Sequence, residues 1–198
     1  MKTKISKTIA AISLGALFST LAYGQTTDPM LQRNINQQHR IEQGLESGQL
    51  NTREAARLER KEAVVNRMES RALRDGTVSE AEQQRIDRAQ DNVSRDIYRE
   101  KHDAQIGNPD SASSQRMQAG VQRNINQQQR IQQGVQSGAL TNREAARLER
   151  GQARVNRREA RAGADGWVGP GEQRRIQRAE NRQSRHIWRQ KHDRQVRH

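Results

Sequence analysis

Apolar residues recur three or four positions apart along most of the chain, in stretches separated by short polar segments. This spacing is that of the buried face of an amphipathic helix. In the first half of the chain three such stripes follow one another, formed by Leu31, Ile35, Ile41 and Leu45, by Leu58, Val65, Met68 and Ala72, and by Ile86, Ala89, Val93 and Ile97. Each stripe holds only about two apolar residues per heptad, as in a coiled-coil seam. The pattern therefore predicts helices that share a thin apolar seam.

Residues that favour helix ends lie between the stripes. Gly48 follows the first stripe and predicts the end of the first helix. The pairs Asn51 with Glu54 and Ser79 with Glu82 have the spacing of capping boxes, in which two side chains satisfy the free amides of a helix N-terminus. These pairs predict where the second and third helices begin.

The pattern then repeats. Residues 32–105 align without gaps to residues 122–195, and about 46 of the 74 positions are identical. The segment between the copies, residues 106–118, is rich in Gly, Pro and Ser and is typical of a linker. We therefore predict an all-α fold of two tandem three-helix units joined by a flexible linker. The first copy spans residues 25–105 and the second copy spans residues 119–198.

The N-terminus has the pattern of an export signal. Three lysines precede an uncharged apolar run over residues 9–22, and Ala22 and Gly24 are small residues at the positions that a signal peptidase reads. This predicts a signal peptide over residues 1–24, cleaved before Gln25, and a periplasmic or secreted protein. No second long apolar run follows, so no integral membrane span is expected after cleavage.

The composition argues against an enzyme. The chain has no cysteine, which excludes thiol catalysis and thiolate metal sites. After the predicted cleavage its aromatic residues are Tyr98, Trp167 and Trp188, so few large side chains remain to line a water-excluding pocket. Nucleophile motifs and glycine-rich phosphate loops are absent. We therefore predict a protein that binds a partner and catalyses no reaction.

The two turns inside each copy share one pattern: a small or acidic residue, Gly, any residue, Leu or Val, and Glu four residues later. The four instances are Ser47-Gly48-x-Leu50-x-x-x-Glu54, Asp75-Gly76-x-Val78-x-x-x-Glu82, Ser137-Gly138-x-Leu140-x-x-x-Glu144 and Asp165-Gly166-x-Val168-x-x-x-Glu172. The pattern resembles the second half of an EF-hand loop. The resemblance implies calcium or another divalent cation as ligand, held by Asp75, Glu82, Asp165 and Glu172.

The first half of that loop is missing, and the turns have a second interpretation. Arg71 and Arg161 stand at the first ligand position of the two Asp-Gly loops, where a positive charge repels a cation. In the alternative, the glycine ends one helix, the aliphatic residue packs the turn, and the glutamate completes the capping box of the next helix. That alternative requires no metal, so the sequence leaves both calcium binding and a protein without a cofactor open.

A short motif also suggests a chaperone. Leu140-Thr141-x-x-Glu144 is similar to the Leu-Thr-x-x-Gln signature of the Spy/CpxP-type periplasmic chaperones, although this chain has Glu in place of Gln. The resemblance implies a helical surface that holds unfolded protein clients during stress. We keep this as a further hypothesis.

Charge is divided unevenly between the copies. Residues 25–110 hold 14 Lys plus Arg and 16 Asp plus Glu, whereas residues 121–198 hold 18 and 7. Arginine suits bidentate contacts with phosphate and carboxylate groups, so the basic copy is expected to bind an anionic polymer or envelope component. The candidate polyanion-binding residues are Arg147, Arg154, Arg157, Arg158, Arg161, Arg174, Arg175, Arg178, Arg182 and Arg185. Trp167 and Trp188 are the candidate partner contacts.

Overall fold

A computed structural model describes residues 27–193 and confirms the all-α fold. The predicted signal peptide, residues 1–24, lies outside the described residues. The helices are α1 (Thr27–Glu46), α2 (Thr52–Ala72), α3 (Glu80–Lys101), α4 (Ala112–Gln136), α5 (Asn142–Ala162) and α6 (Pro170–Lys191). Within residues 27–193, none of these helices has an apolar stretch long enough to cross a membrane.

The helices begin and end where the local sequence predicts. Both expected capping boxes form: the Asn51 side chain accepts from the Glu54 amide and the Ser79 side chain from the Glu82 amide, and each glutamate accepts in return. The left-handed turns that end the preceding helices all use glycine, a residue that adopts positive φ without steric cost. These glycines are Gly48, Gly76, Gly138 and Gly166.

The connection between the copies is shorter than predicted. Residues 112–118 were assigned to the linker, but they form the first two turns of α4 because Ser111 caps the Ser114 amide and Met117 is buried. The rest of the connection packs on the first copy, where the Gly107 amide donates to the Gly48 carbonyl at 2.8 Å.

The helices of the two copies interleave. α2 packs most extensively against α5, and α1 packs against α4, so the main helix pairs join one copy to the other. Each hydrophobic cluster likewise combines both copies. The first includes Ile41, Leu58 and Ile97 with Val121, Ile125 and Ile176, and the second includes Leu31, Leu73 and Ile86 with Ile131, Leu148 and Ile187. The structure therefore does not confirm two separate three-helix units, because the thin stripes of each copy are covered by the other.

The interior is more polar than the apolar stripes predict. Apart from the capping glutamates Glu54 and Glu144, six glutamates are almost completely buried, together with asparagine and glutamine side chains of several helices. We call them the carboxylate row; they are Glu59, Glu62 and Glu69 on α2, Glu149 and Glu159 on α5, and Glu180 on α6. Charged side chains are rarely buried completely, so the spacing of apolar residues along the chain does not identify these six.

Candidate polyanion-binding groove

A groove of about 430 Å³ runs between α5 and α6 on the surface of the second copy. Its sides carry five arginines and one histidine, and its floor consists of small or uncharged side chains. We call it the arginine groove; it is lined by Arg154 and Arg158 from α5, by Arg182, Arg185, His186 and Arg189 from α6, and by Gly151, Val155, Ala179 and Gln183 on the floor.

Gly151 forms part of the floor of the groove. A side chain at this position would overlap Gln183, whose amide lies directly over the glycine and donates to the Leu148 carbonyl at 2.9 Å. In the first copy the equivalent position holds Lys61, a long side chain that forms an ion pair across the same two helices with Asp96. The glycine therefore removes a cationic bridge, and Gln183 packs against it between the two rows of arginines.

The arginines of the groove have no anionic partner among the described residues. The ion pairs within residues 27–193 lie in the first copy, apart from Arg123 with Glu180, and no acidic side chain lines the groove. Arg154, Arg158 and Arg182 are exposed, and His186 is half-buried. Unpaired guanidinium groups on facing helices attract an anion from solution.

The matching surface of the first copy carries less positive charge. The positions of Arg154, Arg158 and Arg182 hold Val64, Met68 and Asn92 there. His186 corresponds to Asp96, which binds both Lys61 and Arg99. The two copies thus share a backbone but differ in the charge of one surface.

The predicted arginines divide into three groups. Arg154, Arg158, Arg182 and Arg185 meet in the groove, and Arg161 and Arg175 line a smaller neighbouring depression of about 200 Å³ that also contains Glu172. The remaining predicted residues lie outside both, and they are Arg147, Arg157, Arg174 and Arg178.

Arg157 differs from the others because it is half-buried. Its Nε donates to the Ala153 carbonyl at 3.0 Å. Burial, followed by the positive charges of Arg67, Arg161 and Arg154, lowers the pKa of Arg157. Its guanidinium is therefore partly engaged by its own helix.

Sequence reasoning missed two residues of the groove, Arg189 and His186. Arg189 follows Arg185 by four positions and Arg182 by seven, so helical spacing alone places it on the same face. The place of His186 beside the arginines depends on how α6 packs against α5.

The predicted contact residues Trp167 and Trp188 are both exposed, at 53% and 58% of their surface. They stand just before α6 and near its last turn, about 30 Å apart along the helix. The Arg116 guanidinium lies over the Trp167 ring at 6.0 Å, and Trp188 stacks on His192. The two tryptophans therefore do not form one contact surface.

The carboxylates of the EF-hand-like turns accept hydrogen bonds from backbone amides. Asp75 accepts from the Thr77 amide at 3.1 Å, and Asp165 accepts from the Trp167 amide at 2.9 Å. Glu82 and Glu172 accept from the amides of their own N-caps at 3.0 and 2.9 Å. These hydrogen bonds are the ones expected if the turns end one helix and cap the next.

One acidic group within residues 27–193 has the spacing of a metal site: Glu54, Glu100 and Asp103. Arg57 lies between two of its members, with Nη2 3.8 Å from Glu54 and 3.3 Å from Glu100. The Arg57 guanidinium therefore already balances part of the negative charge of this acidic group.

No model of a protein family, no curated protein and no solved structure matches this chain.

Proposed function

We propose that this chain is a non-enzymatic binding protein that holds an anionic polymer in the arginine groove. The observation that carries the proposal is the convergence of five unpaired arginines on one groove of the second copy. The same surface of the first copy lacks three of these arginines and contains an acid. If the chain is exported as its N-terminus predicts, the partner is an envelope or extracellular component such as lipopolysaccharide phosphates or an acidic polysaccharide.

The spacing of the arginines favours a chain of charges over a single small anion. Arg154 and Arg158 stand one helical turn apart, which is about 6 Å along α5. Arg182, Arg185 and Arg189 span about 10 Å along α6. A polymer with phosphate, sulfate or carboxylate groups at such intervals engages both rows at once, and each bidentate contact adds affinity.

The direct test is to remove three groove charges. We expect Arg154→Gln, Arg158→Gln and Arg182→Gln, combined in one protein, to weaken binding to heparin and to lipopolysaccharide by roughly 100-fold at low salt. This follows from about 1 kcal/mol for each lost charge-assisted contact. Binding is measured by calorimetry or by surface plasmon resonance.

The first copy provides a control with the same change in net charge. Arg60, Arg85 and Arg88 are exposed on α2 and α3 and do not line the arginine groove. Their combined replacement by Gln is expected to change affinity by no more than about threefold, since only the long-range field is altered. Equal losses in the two triple variants would show that net charge alone drives binding and would overturn the proposal.

A further inference from the structure

Two exposed aromatic side chains, Tyr98 and Trp188, occupy equivalent positions near the ends of α3 and α6. Each lies against the histidine that caps its own helix four residues later. The Trp188 ring stacks on His192 with the ring centroids 4.7 Å apart, and the Tyr98 ring stacks on His102 with the centroids 4.1 Å apart. Both aromatic rings are therefore held on the surface of the protein and not in its core.

A hydrogen bond to the backbone fixes the histidine of each pair. His192 Nδ1 donates to the Trp188 carbonyl at 2.7 Å, and His102 Nδ1 donates to the Tyr98 carbonyl at the same distance. The planes of Trp188 and His192 lie within 20° of parallel, while 58% of the Trp188 surface stays exposed. Trp188 thus presents a flat, supported surface on which another planar ring can stack.

Trp188 lies beside the arginine groove. Arg185 and Arg189, which line the groove, come three residues before it and one residue after it on α6. Residues three apart are neighbours on the surface of a helix, so Arg185 adjoins both the groove and the exposed ring. A polymer whose charges bind in the groove can therefore place its next unit on Trp188.

The aromatic pair of the first copy has different surroundings. Three arginines line an open depression together with Tyr98, and all three are bound within the first copy. Their partners are the Ser94 carbonyl for Arg40, the Asn92 side chain for Arg95, and the Asp96 carboxylate for Arg99. Tyr98 is therefore stacked as Trp188 is, but the arginines beside it are engaged, which makes it a matched control.

The chemistry of the exposed ring selects among anionic polymers. The face of an aromatic ring carries partial negative charge. An acidic polysaccharide carries its sulfate or carboxylate groups on the sugar rings, so a sugar stacked on Trp188 would bring negative groups close to that face. A single-stranded nucleic acid carries its charge on the phosphate backbone, and its uncharged planar bases stack on aromatic side chains. The arrangement therefore favours a nucleic acid strand over a polysaccharide.

We infer that the stacked pair of Trp188 and His192 binds a base of a single-stranded nucleic acid whose phosphates lie in the arginine groove. A basic groove beside a stacking aromatic side chain is the combination that binds single strands with little sequence preference. A duplex fits less well, because its bases already stack on one another. This inference rests on the proposed function, since the same arginines hold the polymer, and it narrows the class of polymer.

Tryptophan fluorescence tests the stacking directly, because the chain contains two tryptophans. Trp167→Phe leaves Trp188 as the single tryptophan, and Trp188→Phe leaves Trp167. We expect a saturating amount of a short oligothymidylate to quench the fluorescence of the Trp167→Phe protein strongly, since a base then covers the indole. The Trp188→Phe protein is expected to keep its fluorescence. Heparin, which has no bases, should quench neither.

Affinities measured on the full chain separate stacking from charge. We expect Trp188→Ala to weaken oligothymidylate binding by about tenfold, as for the loss of one stacked base. Binding of heparin, and of an abasic oligomer with the same number of phosphates, should change by no more than about twofold, because that binding comes from charge alone. Tyr98→Ala removes the equivalent stack of the first copy and should leave all three affinities unchanged.

The outcomes distinguish this inference from the proposed function. Suppose that oligothymidylate binding is weakened by the combined Arg154→Gln, Arg158→Gln and Arg182→Gln changes but not by Trp188→Ala, and that Trp188 is not quenched. The proposed function would then stand and the inference would be overturned. An equal loss of the abasic oligomer in Trp188→Ala would also overturn it. No effect of the three arginine changes on either polymer would remove the proposed function, and the inference with it.

Discussion

Neither copy of the repeat is expected to fold as a monomer when it is produced alone. In residues 25–110, Ile41, Leu58 and Ile97 lose the second-copy side chains that cover them. α2 loses α5, its most extensive partner. We expect circular dichroism of this fragment at micromolar concentration to show weak helicity without a cooperative melting transition, because most of the stability of a helix in a protein comes from the tertiary packing of its apolar face.

The fragment of residues 111–198 provides the complementary experiment. Mixing the two fragments in equal amounts is expected to restore helicity and cooperative melting, since the interface between copies requires no covalent connection. Sedimentation distinguishes the restored heterodimer from self-association of either fragment. A folded, cooperative monomer of either fragment would show that each copy has a sufficient core of its own.

The protein is expected to lose stability as the pH rises from about 5 to about 8. Burial raises the pKa of Glu59 to about 8, with Glu62 the next contributor, and burial also raises the pKa of Glu149 to about 7. Burial, and then the charge of Glu159, raises the pKa of Glu180 to about 8. A group whose pKa is higher in the folded state stabilises the protein below the unfolded pKa, near 4.5, and this contribution disappears as the pH passes the folded value.

Each such carboxyl group changes the free energy of unfolding by about 1.4 kcal/mol per pH unit within that window. For a chain of this length this lowers the melting temperature by about 3–5 °C per pH unit for every proton retained on folding. Thermal melts at a series of pH values measure the slope, and Glu62→Gln should make it shallower. A melting temperature that stays constant or rises between pH 5 and pH 8 would show that the row is neutralised in some other way.

Local features of the fold could be predicted from the sequence, but its long-range pairing could not. The capping box of Asn51 and Glu54 and the turn at Gly76 depend on residues within one helical turn, and both were found. Apolar spacing identifies the buried face of a helix but does not say which helix covers it. The interleaving of α2 with α5 was therefore missed, and the narrow stripes were interpreted as two separate seams.

The buried glutamates show a second limit of hydropathy. Glu59 and Glu69 lie near the apolar stripe of α2, and the second copy has Glu149 and Glu159 at the same positions. Charged residues are rarely fully buried, so hydropathy gives no reason to place these in the interior. Identical acids near the buried stripes of both copies were the available signal, but it became informative only when the packing of α2 on α5 was known.

The arginine groove was partly predictable. The excess of arginine in the second copy identifies the copy and most of the residues, because charge is read directly from the sequence. Which arginines converge depends on the packing of α5 on α6, where Gln183 lies against Gly151. Arg154 and Arg182 come together for that reason, whereas Arg147 remains outside.

The dependence of heparin affinity on salt tests the binding account most directly. An anionic polymer that contacts the groove releases bound counterions, so the logarithm of the association constant falls linearly with the logarithm of the salt concentration. We predict that the combined Arg154→Gln, Arg158→Gln and Arg182→Gln variant has a slope smaller than the unmodified protein by about three, or about one for each lost contact. Identical slopes for the two proteins would contradict the claim that these arginines contact the polymer.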